Sequence, residues 1–266
     1  MRGAEFEKFQ AAIARAGLTH IKPMLDKERL ALGEAFYAEI FDTPSTTKLH
    51  GPVTVQDRFV GQVFAGFMEI VRSYERLQDI YFYAGRFPYG SSRASPERYL
   101  RYHIENYFAE VYVLRERLLA YLKIIERLYR REKDFSALKT SCDDLAHVIS
   151  KGLEGLVDAR GQHVHQRRLS DGELGRLYTI EFFAKMGEDD EFARNMRTHF
   201  KIEHRKVKAH WKQKLKQGND GLALLLDMVF SNLYPFMFDK NTSQFRFPRR
   251  MATNSRLQRT PAGGRR

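Results

Sequence analysis

The chain has 266 residues, 43% of them hydrophobic and 13% aromatic, and a formal net charge of +12. This length and composition allow a substantial buried core and exclude a wholly disordered chain. The single cysteine, Cys142, excludes an internal disulfide. One unpaired cysteine also fits a reducing compartment, so a cytoplasmic location is expected.

Neither a secretion signal nor a membrane span is predicted. The first residues, MRGAEFEKFQAAIARAGL, contain acidic side chains where a signal peptide has an apolar segment. The most apolar run, GLALLLDMVFSNLYPFMF, is interrupted by Asp227, Asn232 and Pro235. An interrupted run of this length predicts a buried helix, and we expect no membrane partner.

The N-terminal third contains two segments with helical periodicity, GEAFYAEIF and QVFAGFMEIVRSYERLQDIYFYA. The sequence between them, DTPSTTKLHGPVTVQDRF, is typical of a loop. The stretch GRFPYGSSRASP that follows has the composition of a linker. We therefore expect residues 1–94 to form an N-terminal helical region.

A long helix is predicted to begin after Ser95. Ser95 is a favourable N-cap, Pro96 suits the first helical position, and Glu97 favours the positive end of the helix dipole. Apolar side chains then recur at steps of three and four residues, which predicts a helix of about 50 Å that needs partners along its whole length. These positions are Leu100, Ile104, Tyr107, Val111, Leu114, Leu118, Leu122, Ile125 and Tyr129.

Four further helices are predicted downstream. They are FSALKTSCDDLAHVISKGLEGLVDARGQHVHQRR, then SDGELGRLYTIEFFAKMG with a capping box of Ser170 and Glu173, then the polar DDEFARNMRTHFKIEHRKVKAHWKQKLKQ, and finally the apolar DGLALLLDMVFSNLYPFMF. The predicted fold class is therefore all-α: a helical bundle at residues 95–240 with one long spine helix. A basic, disordered C-terminal tail is expected at residues 241–266.

The stretch ARGQHVHQRR concentrates the residue types that carry chemistry. A metal site at His163 and His165 is not expected, because residues two apart on a helix point in nearly opposite directions. The sequence also lacks the spacings of zinc, calcium and nucleotide-binding motifs, so no metal and no cofactor are predicted. Acid–base chemistry by Arg160 and His165 is the alternative. An arginine binds phosphate oxygens and a histidine moves protons near neutral pH, which together suffice for metal-independent RNA cleavage by the ribose 2′-OH.

A pair of the form R-x4–6-H on a helical bundle resembles the HEPN superfamily (higher eukaryotes and prokaryotes nucleotide-binding). The resemblance covers roughly residues 96–235: the long helix, the motif at the end of a later helix, and a final apolar helix. It implies a four- to five-helix bundle, often a two-fold dimer, in which the Arg and His of both protomers line a cleft that cuts RNA without metal. Many such proteins are toxins with a cognate antitoxin or antiviral effectors, and others have lost catalysis.

The spacing alone does not select one pair, because the chain contains six Arg residues followed by His after four to six residues, against roughly three expected by chance. We favour Arg160 and His165, with His163, Gln166 and Arg167 as further phosphate contacts. Arg194 and His199 are the alternative catalytic pair. A purely structural alternative is that these groups cap and solvate helix ends. The six pairs are Arg15/His20, Arg98/His103, Arg160/His165, Arg194/His199, Arg197/His204 and Arg205/His210.

The positive charge is concentrated near the C-terminus. Residues 201–266 carry 15 Lys and Arg against 4 Asp and Glu, a balance of +11 out of +12. Such asymmetry indicates a polyanionic partner, with Lys208, Trp211 and Lys212 as nucleic-acid contacts and the Trp211 ring stacking on a base. The alternatives are a solvated helix face and, for Trp211, an anchor packed against the bundle.

Taken with this resemblance, the sequence predicts a metal-independent endoribonuclease of HEPN type, and the resemblance implies that it is a dimer. In this reading His165 is the general base or acid, and Arg160 holds the scissile phosphate. The main alternative is a catalytically silent helical module that binds nucleic acid or a partner protein through its basic C-terminal third. A third reading is a helical protein with a purely structural role.

Overall fold

The computed structural model describes residues 3–27, 55–86, 95–156, 172–186, 191–239, 242 and 244–249. The all-α fold class is confirmed, and among these residues the only β pairing is a bridge between Phe238 and Phe245. None of the described helices is both long and apolar enough to cross a membrane. The helices are α1 (Ala4–Lys27), α2 (Val55–Ala84), α3 (Pro96–Tyr129), α4 (Phe135–Gly152), α5 (Gly172–Met186) and α6 (Glu191–Met237).

The chain forms two compact units, each assembled from separate parts of the sequence. The division predicted from sequence, 1–94, 95–240 and 241–266, follows chain order and stays a prediction. Unit 1 comprises residue 1 with 68–120 and 145–225, and unit 2 comprises 2–67, 121–144 and 226–266.

The predicted start of the long helix is confirmed. The Ser95 hydroxyl accepts a hydrogen bond from the Arg98 amide at 3.3 Å, and the Ser95 carbonyl accepts one from the Tyr99 amide at 2.9 Å. All nine apolar positions predicted along α3 are buried. The cap and the periodicity are local features of the sequence, which is why they predicted this element.

Unit 2 has an aromatic core. Phe9 and Phe230 lie 4.5 Å apart between ring centroids, and Phe67 and Phe238 contact one or the other of them. Phe245 joins this core, because its ring stacks on Phe238 at 4.9 Å. Residues 244–249 of the predicted tail therefore pack against the bundle, and the remainder from residue 250 lies outside the described residues.

The two C-terminal helices predicted from sequence are one helix of 47 residues, α6, so their separation was wrong. The run Gly218–Asn219–Asp220–Gly221 has the composition of a turn. Here it stays helical, because Tyr107 of α3 donates a hydrogen bond to Asn219 Oδ1 at 3.0 Å and packs directly on Gly218. A Cβ at Gly218 would lie 2.5 Å from the Tyr107 hydroxyl, so the close approach of α3 explains the glycine.

Candidate nucleic-acid interface

One face of α6 carries a row of cations. Arg197, Lys201, Arg205, Lys208 and Lys212 recur at steps of three or four residues, so they lie on the same side of the helix. All five belong to unit 1. The sequence predicted a basic segment here, and the helical periodicity places these five basic side chains along one face of α6.

Part of this row lines a cleft in unit 1 of about 680 Å³. The other wall is formed by α5 and by the start of α3. Apolar atoms make up most of its surface, and basic side chains supply much of the polar remainder. Its lining residues are Pro96, Glu181, Ala184, Lys185, Arg197, Phe200, Lys201, His204, Arg205 and Lys208.

The acidic groups at the cleft are already neutralised by neighbours. Glu181 is buried, accepts a hydrogen bond from Ser95 Oγ at 2.5 Å and one from Lys185 Nζ at 2.7 Å. Glu97, next to the cleft-lining Pro96, is fully buried and accepts a hydrogen bond from Arg101 Nε at 2.6 Å. Burial raises the pKa of Glu97 above its ordinary 4.5, against the opposing effect of Arg101. These carboxyls therefore offer little repulsion to an anion in the cleft.

Three cations of the cleft are unpaired within the part of the chain that the structure describes. Lys201, Arg205 and Lys208 have no carboxylate partner among these residues. By contrast, Glu203 binds Lys206 at 3.0 Å and Arg176 at 3.1 Å. The cleft face of α6 is thus left with positive charge that nothing in the described protein compensates.

His204 lies in the same cleft as a neutral base. Burial lowers its pKa below the ordinary 6.5, and the nearby charge of Lys208 lowers it further. The carboxylate of Glu181 and the backbone of Pro96 oppose this lowering of the pKa. The ring of Phe200 stacks against the imidazole at 5.7 Å between centroids.

The favoured catalytic residues of the sequence analysis, Arg160 and His165, lie in 157–171, outside the described residues, and so do His163, Gln166 and Arg167. Their assignment stays a prediction.

The alternative pair, Arg194 and His199, lies exposed on α6, outside the cleft lining. Five residues on a helix correspond to about 140° around the axis, so these two side chains do not share a face. Arg197 and His204 do, because seven residues return to within about 20°, and both line the cleft. A helical-wheel comparison of the six pairs would have singled out this one from sequence.

Of the predicted nucleic-acid contacts, Lys208 lines the cleft and Lys212 lies one turn further along the same face. Trp211 is only 5% exposed and packs edge-on against Phe108, with Lys214 Nζ 4.7 Å from its ring centroid. Base stacking expected for Trp211 does not fit this burial. Its position matches the alternative, an anchor packed within the bundle.

No group of three or more His, Cys, Asp or Glu side chains in the described ranges is arranged to hold a metal ion. Comparison with protein-family models, with curated proteins and with solved structures finds no match for this chain.

Proposed function

We propose that this protein binds RNA, with the cleft of unit 1 holding the phosphate backbone. The observation that carries the proposal is the set of three unpaired cations, Lys201, Arg205 and Lys208, on one helical face that lines a cleft. Phosphates that contact such side chains release condensed counterions, which favours binding.

The state of the acidic side chains at the cleft also supports an anionic ligand. Glu181 is satisfied by Ser95 and Lys185, and the pKa of Glu97 is raised by burial. A cleft whose carboxyl groups already have hydrogen-bond and ion-pair partners repels phosphate less than its residue count alone indicates. The apolar lining from Phe200, Ala184 and Pro96 offers contact area for a ribose or a base.

The test is the affinity of purified protein for a labelled RNA of mixed sequence at 0.1 M salt. Replacing Lys201, Arg205 and Lys208 together by glutamine is expected to weaken binding by about 10- to 100-fold, since three phosphate contacts are lost.

A control variant changes the net charge by the same amount elsewhere: Arg72→Gln, Lys139→Gln and Lys206→Gln. These three side chains are ion-paired and mostly exposed, so this variant is expected to bind RNA almost as well as the wild type. Equal weakening of both variants, or of neither, would contradict the assignment of binding to the cleft.

Metal-independent RNA cleavage is the second candidate function, and the placement of Arg197 and His204 favours it. Their spacing, R-x6-H, falls within the R-x4–6-H pattern of the HEPN resemblance, and both line the cleft. A neutral imidazole accepts the proton of a ribose 2′-OH as this oxygen bonds to the phosphorus and the P–O5′ bond breaks, which leaves a 2′,3′-cyclic phosphate. The imidazolium then gives the proton to the departing 5′ oxygen, and the guanidinium stabilises the negative charge on the phosphoryl oxygens. The Arg197 Nε donates to the Ala184 carbonyl at 3.4 Å, which orients the group.

Cleavage is tested on labelled RNA in EDTA with wild type and four variants: Arg160→Ala, His165→Ala, His199→Ala and His204→Ala. If only Arg160→Ala and His165→Ala lose cleavage, the activity belongs to the predicted pair Arg160 and His165. If only His199→Ala loses cleavage, it belongs to the alternative pair. Loss in His204→Ala with RNA binding retained assigns it to the cleft pair. Retained binding without cleavage in the wild type leaves the silent binding module.

The resemblance extends the nuclease proposal to a wider setting. In this setting the protein is a cytoplasmic homodimer that acts as a toxin with a cognate antitoxin, or as an antiviral effector. The molar mass in solution, measured with and without RNA, tests the dimer directly.

A further inference from the structure

Helix α5 is apolar on the side that faces away from the bundle as well as on its packed side. Leu174, Leu177 and Ile180 are buried. Yet Tyr178 is 53% exposed and Phe182 and Phe183 are 46% and 44% exposed. Helix α5 thus has a second apolar surface that has no protein partner among the residues that the structure describes.

Phe192, at the start of α6, extends this surface and is 55% exposed. The rings of Phe182 and Phe183 are 5.6 Å apart, and those of Phe183 and Phe192 are 6.4 Å apart. We refer to Tyr178, Phe182, Phe183 and Phe192 as the aromatic surface. All four residues belong to unit 1, as does the cleft.

Positive charge borders the aromatic surface. Lys185 lies one turn beyond Phe182 on α5, lines the cleft and is 63% exposed at its side chain. Tyr178 likewise lies one turn before the cleft residue Glu181. Exposed rings beside a basic cleft are the combination with which proteins hold single-stranded nucleic acid.

A second copy of the chain is a weaker candidate for this surface. Four aromatic side chains that are each about half exposed offer roughly 400 Å², about half of the ~800 Å² per partner that a stable interface buries.

We propose that the aromatic surface stacks the bases of single-stranded RNA whose phosphates lie along the cleft cations. The inference rests on the proposed RNA binding and adds a substrate class to it. In a duplex the bases are stacked on one another and their faces are not available to the rings. The protein therefore discriminates single strands from duplexes through α5, and binds phosphate through α6.

The test compares a single-stranded RNA of 20 nucleotides with the duplex formed by the same strand and its complement. Wild type is expected to bind the single strand more tightly. Tyr178→Leu with Phe182→Leu keeps apolar side chains but removes both ring faces, and is expected to weaken single-strand binding at least about fivefold while duplex binding is unchanged. Tyr102→Leu, which removes a 60% exposed ring on α3, is the matched control.

A 2-aminopurine base in the same strand supplies a second readout. Stacking quenches its fluorescence, so wild type and the Tyr102 variant are expected to quench it and the double leucine variant is not. Unchanged single-strand affinity and quenching in the double variant would overturn the stacking surface and leave RNA binding by the cleft intact. A drop in molar mass with RNA affinity unchanged would assign the surface to a second copy instead. If replacing Lys201, Arg205 and Lys208 by glutamine leaves RNA affinity unchanged, the proposed RNA binding by the cleft is itself wrong, whatever the result for the aromatic surface.

Discussion

At the scale of single residues, His204 makes the fold sensitive to acid. Its pKa in the folded protein lies below 6.5 because the ring is buried and Lys208 is near, and burial also lowers the pKa of His103. As the pH falls below 6.5, the unfolded chain takes up these protons before the folded one does. The free energy of unfolding therefore decreases through this window.

Urea denaturation at pH 7.5 and pH 5.5 measures this effect. Between pH 7.5 and pH 5.5, the free energy of unfolding is expected to fall less in His204→Gln than in wild type. It is expected to fall less still in a variant that also carries His103→Gln. Glu97 has the opposite effect on the free energy of unfolding. Because its pKa is raised in the folded protein, the stabilisation that its protonation provides is lost as the pH rises above 4.5. An acid dependence identical in wild type and both variants would show that these imidazoles are not buried as described.

Cys142 is a second residue whose chemistry follows from burial. The residue is 3% exposed, and desolvation raises the pKa of its thiol to about 11, so the reactive thiolate is scarce at pH 8. We expect iodoacetamide to leave the native protein unmodified and to label it fully in denaturant, as read by mass spectrometry. Rapid labelling of the native protein would mean that α4 opens readily at this position.

At the scale of elements, the continuity of α6 depends on the contact between Gly218 and Tyr107. Gly218→Ala is expected to destabilise the protein by about 1–3 kcal/mol, because the added methyl overlaps a buried ring that is held by Asn219. The measurement is the free energy of unfolding in urea.

Gly221, three residues further along the same helix, is the matched control. A Cβ there meets no atom within 4 Å. Gly221→Ala is therefore expected to stabilise the helix by about 0.5–1 kcal/mol. Equal effects of the two substitutions would contradict the close approach of α3 at Gly218.

The same contact explains which elements could be predicted from sequence. The start of α3 depends on Ser95 and on a periodicity contained in the helix itself, so local rules predicted it. The helix continues through residues 218–221 because of Tyr107, which lies more than a hundred residues earlier in the chain. No local rule contains that information, and the turn composition therefore gave a break that the structure does not have.

At the scale of the whole molecule, each compact unit combines distant parts of the chain. The basic face of α6 was predictable, since it needs only charge and helical period. The opposite wall of the cleft was not, because it depends on the hydrogen bond between Ser95 and Glu181, 86 residues apart. Trp211 shows the converse: its lysine neighbours indicated a binding role, while its burial depends on Phe108 of another helix.

The central claim is that the cleft cations bind phosphate, and the salt dependence of RNA affinity tests it most directly. A plot of the logarithm of the association constant against the logarithm of salt concentration has a slope set by the number of phosphates contacted. Replacing Lys201, Arg205 and Lys208 by glutamine is predicted to make this slope shallower by about 2, at about 0.7 per contact for single strands. Parallel lines for wild type and variant would contradict the account and assign the affinity to positive charge elsewhere in the chain.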